Sequence, residues 1–385
     1  MHILLNGTFW AQPLVGSGQY LHGLVRRLPR IAPHHRYTLL LPATHPPGPP
    51  PPPGVTTLTL RTPFDGRDKN LAKLWFEQVS IPQVARLLAG QRDTILHVPY
   101  FAPPLRCSVP VITTVGDIIP LLLPEYRGGP HVRAYMALAS RALRHTSHIL
   151  TFSERSRWDI AAYFNISVQR ITSILLAADE RYTPQDRAAA AAEVAARYDL
   201  HAPFVYYVGG LDARKNVDVL IRACALLRQE QSWDRQPFTL AIAGRPLGSN
   251  PHLFPDLDRI IAETGTGDCV RRIEVPHADG PLLYQACTMF AFPSRYEGFG
   301  LPPLEAMACG APVVVSNAGS LPEVVGEAAL AVPPDDVAGW ASALDRLLGN
   351  AALRDELRTQ GLQQASRFSW QRVAEETVQR YEHVL

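Results

Sequence analysis

The sequence predicts an α/β protein of two doubly wound domains, each a parallel sheet with helices on both faces. Three observations predict it. Short apolar runs bounded by turn residues alternate with helical patterns along nearly the whole chain, and the scheme repeats in the second half. At 385 residues and 46% hydrophobic composition, the chain also exceeds the roughly 250–300 residues at which single cores stop growing. Strict alternation of strand and helix means a parallel sheet, and here it occurs twice.

In the first half, residues 2–6, 37–41, 95–98, 109–115 and 148–152 read as buried strands. Helical patterns lie between them at 19–28, 73–89, 131–144 and 154–164, the last with Ser153 as N-cap. In the second half the strands are 204–208, 238–243, 270–275, 289–292 and 312–316. Helices fill the gaps at 217–229, 253–263, 282–286, 302–309 and 337–348, and Ser320-Leu321-Pro322-Glu323 has capping-box spacing. The halves join across residues 178–203, which include an alanine-rich helix at 187–198. The proline run at 46–54 reads as a stiff polyproline II loop between strands rather than a recognition motif.

Composition narrows the class. The five cysteines, Cys107, Cys224, Cys269, Cys287 and Cys309, are widely spaced without a C-x-x-C pair, which argues against a disulfide framework or zinc site. The start MHILLNGTFW has no basic region or cleavage motif, and no apolar run approaches the ~18 residues of a membrane span. The expectation is a soluble cytoplasmic protein. Charge divides unevenly: residues 1–180 hold 18 Lys/Arg against 10 Asp/Glu, and the remainder 19 against 25. A basic first half suits an anionic partner, either a phosphate-bearing acceptor or an acidic membrane surface at the inner face; an ordinary solvated charge distribution explains it as well.

Open parallel sheets bind ligands at the carboxyl ends of their strands, so loops that follow strands carry most of the chemistry. After the first strand come Gly16 and Gly18, opening a helix whose amides would meet an anion or would simply form a tight turn. Further on, a strand ends in Gly209-Gly210 and the pair Arg214-Lys215 begins the next helix. Cations there oppose the helix dipole, which points to a bound anion such as a diphosphate.

The third loop is SRYEGFGLPPLEAMACG, residues 294–310. Glu297 lies in a turn with Gly298, and Glu305 stands about one turn into a helix. Between them the amides of Phe299, Gly300 and Leu301 have no intrahelical partner. Acids beside such amides would repel phosphate, so they should read hydroxyls, Glu305 on a ribose and Glu297 on a sugar. Paired carboxylates also invite the idea of glycoside hydrolysis. Lastly, His97 and Asp117 follow adjacent strands of the first domain and would face the second domain's loops.

With these motifs the chain resembles a family 4 retaining glycosyltransferase of the GT-B fold. PSRYEGFGLPPLEAMACGAPVVVSNAGSLPEV from Pro293 carries that family's E-x7-E signature, supported by YVGGLDARKN from Tyr207 and TVGDIIPLLLPEY from Thr114. The resemblance implies two Rossmann-like doubly wound domains facing across a cleft. Residues 1–179 would bind acceptor, 180–368 the nucleotide sugar, and 369–385 would form a helix crossing back to the first domain. It further implies transfer from a nucleoside diphosphate sugar, leaning to GDP-mannose, onto a saccharide or lipid-linked acceptor, with no metal or other cofactor and no nucleic acid.

Carried over, Glu297 contacts the donor sugar and Glu305 the ribose, while Lys215 with Arg214 holds the diphosphate. Phe299, Gly300 and Leu301 supply amides, and Val275 and Pro276 meet the base. Two departures stand out: Gly116 precedes Asp117 where relatives often carry His, and Gly210 stands where they often carry Arg. His97 would compensate for the first, or the sugar would differ. The rival readings are a hydrolase or phosphorylase using Glu297 and Glu305, and a catalytically silent nucleotide-sugar-binding subunit.

Overall fold

The computed structural model describes every residue except 47, 91–92, 230–236, 247 and 249. It separates into two units, Met1–Leu176 with Ser369–Leu385, and Ala177–Phe368. The second unit thus begins at Ala177, and the last helix belongs to the first.

The first unit holds a seven-stranded, wholly parallel sheet. Its strands are β1 (His2–Asn6), β2 (Arg36–Pro42), β3 (Val55–Leu60), β4 (Thr94–Val98), β5 (Val111–Thr114), β6 (His148–Thr151) and β7 (Ile171–Ser173), in the order β3-β2-β1-β4-β5-β6-β7. The second unit holds six: β8 (Phe204–Val208), β9 (Thr239–Ala243), β10 (Val270–Ile273), β11 (Met289–Phe292), β12 (Val313–Ser316) and β13 (Leu330–Val332), ordered β10-β9-β8-β11-β12-β13. Central strands such as β1, β4, β11 and β12 are buried at every residue, as expected of parallel sheets covered by helices on both faces. Strand order reverses once in each sheet, between β1 and β4 and between β8 and β11. Doubly wound sheets bind ligands at such switch points.

The final helix, Trp370–Val384, is keyed to the first unit by two aromatic side chains. Trp370 lies flat over Gly23, where an added Cβ would sit 2.4 Å from its ring, and Tyr381 OH is 2.6 Å from His97 Nδ1.

Several expected elements change for identifiable reasons. The single helix expected at 73–89 is instead Lys69–Trp75, a π-helical turn Phe76–Ser80, and Ile81–Leu88. Pro82 explains the interruption, since its ring would meet the carbonyl of residue 78 in a regular α-helix and a π turn widens the spiral there. The helix expected from 253 starts at Leu257, capped by Asp256, which accepts from the Arg259 amide. Ser153 caps its helix through the Ser156 amide. Ser320 does not cap: its hydroxyl is turned elsewhere, as described below. The proline run at 46–54 lies in the β2–β3 loop; Pro47 is outside the described residues, and Trp10 Nε1 donates to Pro49 O at 2.8 Å.

Candidate active site at the second switch point

The loops after β8 and β11 flank the switch point of the second sheet, and their side chains meet. After β8, Gly209 and Gly210 lead into a 3-10 turn, Ala213–Lys215, which ends at Asn216 with φ +56° before the helix Val217–Gln229. Arg214 and Lys215 therefore sit in the last turn of a short 3-10 segment, not at the start of a helix. Asn216 locks the segment, its side-chain amide donating to Pro334 O at 2.6 Å and Pro293 O at 3.3 Å.

After β11, Glu297 reaches back to both cations. Lys215 Nζ is 2.7 Å from Glu297 Oε1, and an Arg214 guanidinium nitrogen is 3.1 Å from Oε2. Arg214 also donates to Tyr296 O at 2.7 Å, and Lys215 Nζ lies 5.0 Å from the centre of the Phe292 ring. Burial pushes the Glu297 carboxyl up, but Lys215 and Arg214 outweigh it and hold the group below the ordinary carboxylate range. The carboxylate is thus ionised and orients both cations rather than standing opposite them.

The turn that carries Glu297 is fixed from behind. Ser320 Oγ lies 2.9 Å from Glu297 O and 2.5 Å from Phe299 O, shared between two carbonyls that would otherwise lack this partner. Gly300 opens the helix Leu301–Ala308 at φ +120°, a backbone region reserved for glycine, and no side chain caps that helix. The amides of Phe299, Gly300 and Leu301 donate to no acceptor among the described residues. Three successive amides leading into a helix N-terminus are N–H groups of the kind that binds anions.

Glu305, one turn into that helix, behaves differently from Glu297. Burial pushes its carboxyl up to about 7, against the opposing hydrogen bond from Tyr284 and the field of Arg181. The Tyr284 hydroxyl is 3.2 Å from Oε2. Val275 and Pro276 follow β10, two strands from β8 in the sheet.

The remaining expected residues lie in the first unit. His97 is not in a loop but inside β4, wholly buried, with Nε2 2.8 Å from Thr114 Oγ1 and Nδ1 on Tyr381. Burial alone takes its pKa down to about 3. It is neutral, enclosed and structural, and cannot replace a side chain missing at Gly116. That place is itself filled: a Cβ on Gly116 would sit 2.9 Å from the Phe152 ring. Asp117 Oδ1 accepts from the Ile119 amide at 3.0 Å, shaping the turn after β5. Gly16 and Gly18 open the helix Gly16–Val25; Gly16 has open space around it, whereas a Cβ on Gly18 would meet Gln12 O at 1.9 Å.

Sequence reasoning missed Ser320, legible only as a cap, and Tyr284, which carried no motif. It also missed a polar cluster at the first sheet's switch point. There Tyr100 OH donates to the buried Glu77 at 2.6 Å and lies 3.0 Å from both Asn6 Nδ2 and Thr8 Oγ1. Its members come from three distant segments, so no local pattern announces it.

Comparison with known proteins bears on the family and the fold. The model of the family described as "Glycosyl transferases group 1" matches residues 195–364. The O-antigen chain mannosyltransferase B of Escherichia coli is 36% identical over 297 residues, 76% of this chain and 75% of that protein. Among solved structures, sucrose-phosphate synthase of Thermosynechococcus elongatus superposes with TM-score 0.72 at 20% identity, covering 100% of this chain and 99% of that one. HepE of Anabaena, in complex with UDP and glucose, superposes with TM-score 0.72 at 18% identity over 100% of both chains. At such identities these structures speak for the fold: two α/β domains with parallel sheets, shared with glycosyltransferases of the GT-B class.

Proposed function

This chain belongs to the group 1 glycosyl transferases, and on that premise we propose that it is a retaining, family 4 enzyme. It moves a mannosyl group from GDP-mannose to a saccharide or lipid-linked acceptor during glycan assembly at the cytoplasmic side of the membrane. The observation that carries the reading is the joining of Arg214, Lys215 and Glu297 at the second switch point, near the amides of Phe299, Gly300 and Leu301. The likeness to a mannosyltransferase favours mannose.

In this reading the donor diphosphate lies against the amides of Phe299, Gly300 and Leu301, with Lys215 as a point charge and Arg214 as a planar fork. The step that needs help is departure of the diphosphate from the anomeric carbon, where negative charge accumulates. Donors and cations already in place stabilise that charge without reorganising as it develops. Glu297 holds both cations ready, and its remaining lone pairs accept from hydroxyls of the donor sugar. Glu305, once ionised, accepts from the ribose. The acceptor proton passes to a phosphate oxygen of the donor. Glu297 is poorly suited to act as a hydrolytic nucleophile, because each of its oxygens is held by a cation.

The test is to incubate the protein with GDP-mannose or UDP-glucose and a short mannose-terminated acceptor, reading nucleotide release and the anomeric configuration of the product. Acceptor-dependent GDP release with an α-linked product is expected. Nucleotide-independent cleavage of a simple aryl glycoside would instead mark a hydrolase, and tight nucleotide binding without turnover a silent subunit.

A further inference from the structure

The last turn of the helix Trp370–Val384 meets the first unit at a second polar contact, one residue beyond Tyr381. Glu382 Oε1 lies 3.2 Å from His35 Nε2 and 3.8 Å from His34 Nε2. One ligand atom from each of the three side chains falls within 4.8 Å of the others. All three residues belong to the first unit.

Successive side chains on a strand point to opposite faces and would not share a partner. His34 and His35 precede β2 in a turn closed by the His35 amide on Ala32 O at 3.1 Å. The turn brings both rings to one side, with centroids 4.0 Å apart, and aims both Nε2 atoms at a single carboxylate oxygen. His35 is fixed, its side chain only 4% exposed. Burial and the charges of His34 and the Met1 amine hold it below the ordinary imidazole value, against the pull of Glu382, so its ring is neutral near pH 7. The Met1 amine, 3.5 Å from Nδ1 on the far side of that ring, works against a cation, and the Glu382 charge offsets it. His34 and Glu382 are 66% and 50% exposed and adjust without disturbing the core.

Two imidazoles and a carboxylate are a donor set that zinc takes, whereas calcium and magnesium prefer oxygen alone. Bonds of about 2.0–2.2 Å in a tetrahedron set neighbouring ligand atoms roughly 3.3 Å apart, and the two histidine–carboxylate pairs bracket that spacing. A hydrogen bond accounts for His35 on Glu382. At 3.8 Å His34 makes none, yet its ring is turned to the same oxygen, an arrangement that an ion between the three explains.

We propose that His34, His35 and Glu382 form a zinc site, with water as the fourth ligand, that fastens the last helix to the turn before β2. The ion takes no part in glycosyl transfer, and the proposal stands or falls independently of that reading. It joins segments 347 residues apart in sequence, so bound zinc should suppress fraying of the chain's final turns.

The full chain, stripped with a chelator and dialysed, would be titrated with zinc chloride by calorimetry. One equivalent should bind at micromolar zinc. His34→Ala and Glu382→Gln, both at exposed positions, should each weaken binding about tenfold or more, at least what losing an outer-shell partner of a metal ligand costs. His201→Ala, which removes an exposed histidine 3.5 Å from Asp199, should bind as the wild type does. Zinc should also slow amide exchange in the last turns of the helix Trp370–Val384 in the wild type but not in His34→Ala. The proposal is overturned if the stripped wild type binds no zinc in the micromolar range, if His34→Ala and Glu382→Gln bind as tightly as the wild type, or if zinc leaves exchange of that helix unchanged.

Discussion

Lys215 and Glu297 meet across the switch point of the second sheet at 2.7 Å, with side chains only 13% and 12% exposed. They are 82 residues apart, and the loops that bring them together follow β8 and β11, neighbouring strands on either side of the reversal. Arg214 shares the same carboxylate, so removing Lys215 leaves Glu297 partly compensated rather than stranded. This separates Lys215's effect on chemistry from its effect on folding.

Lys215→Ala should lower kcat/KM for the donor by about 100- to 1,000-fold, the scale seen when one preorganised donor to developing charge is lost. Its melting temperature should change little. Glu297→Ala should be more damaging to the fold, because two enclosed cations lose a shared partner at a cost of up to about 3–5 kcal/mol. A double-mutant cycle on the two positions should show strong coupling in kcat/KM; additive effects would mean that they act separately.

Glu305 gives a pH signature. Its carboxyl is pushed up to about 7, so below that pH it is largely neutral and a poorer acceptor for ribose hydroxyls. Donor affinity should rise as pH rises through about 7, and Glu305→Gln should flatten the profile at weaker affinity. Stability runs the other way. The folded carboxyl binds a proton more tightly than the unfolded one, so its contribution is full below the ordinary carboxylate range and is lost as pH rises through about 7. Melting curves of wild type and Glu305→Gln across this window check the sign.

Ser320→Ala removes the hydroxyl shared by Glu297 O and Phe299 O. Leaving buried carbonyls without that donor should cost about 1–3 kcal/mol and loosen the turn that aims Glu297 and the adjacent amides. Both a lower melting temperature and a raised donor KM are expected. A variant with normal stability and normal KM would show that the turn is held by other means.

His97 should matter to stability alone. His97→Ala ought to destabilise the first unit by about 2–5 kcal/mol through the cavity and the lost partners of Thr114 and Tyr381, with kcat of the folded fraction unchanged. Because its pKa falls to about 3, the unfolded chain binds the extra proton between about 3 and the ordinary imidazole value. Its stabilisation is complete above that value and fades as pH falls toward 3. Acid unfolding of wild type, compared with that of His97→Asn, reads this directly.

The strands that the sequence made legible are central ones, such as β1, β8 and β11, where unbroken apolar runs coincide with burial at nearly every residue. The strands it hid are sheet edges: β3, β7 and β13, short or largely exposed, whose residues carry no continuous apolar signal. The helix Ala351–Ala365 was hidden for the same reason, with only Leu357 and Gly361 buried. At the site, glycines and charges following strands pointed to Arg214, Lys215, Glu297 and Gly300. Pairing between distant loops was not legible, so the carboxylate's role as the holder of both cations and the part played by Ser320 emerge only from the fold. His97 misled because it reads as following its strand and facing the cleft, whereas Tyr381, 284 residues away, satisfies it inside the sheet.

The central claim is that Lys215 and its neighbours cradle a diphosphate, and calorimetric titration of GDP and GMP into wild type and Lys215→Ala tests it most directly. The account predicts that GDP binding weakens tenfold or more in the variant, about 1.4 kcal/mol or greater, while GMP binds both proteins alike. Equal GDP affinity in the two proteins, or no binding of any nucleoside diphosphate by the wild type, would contradict it.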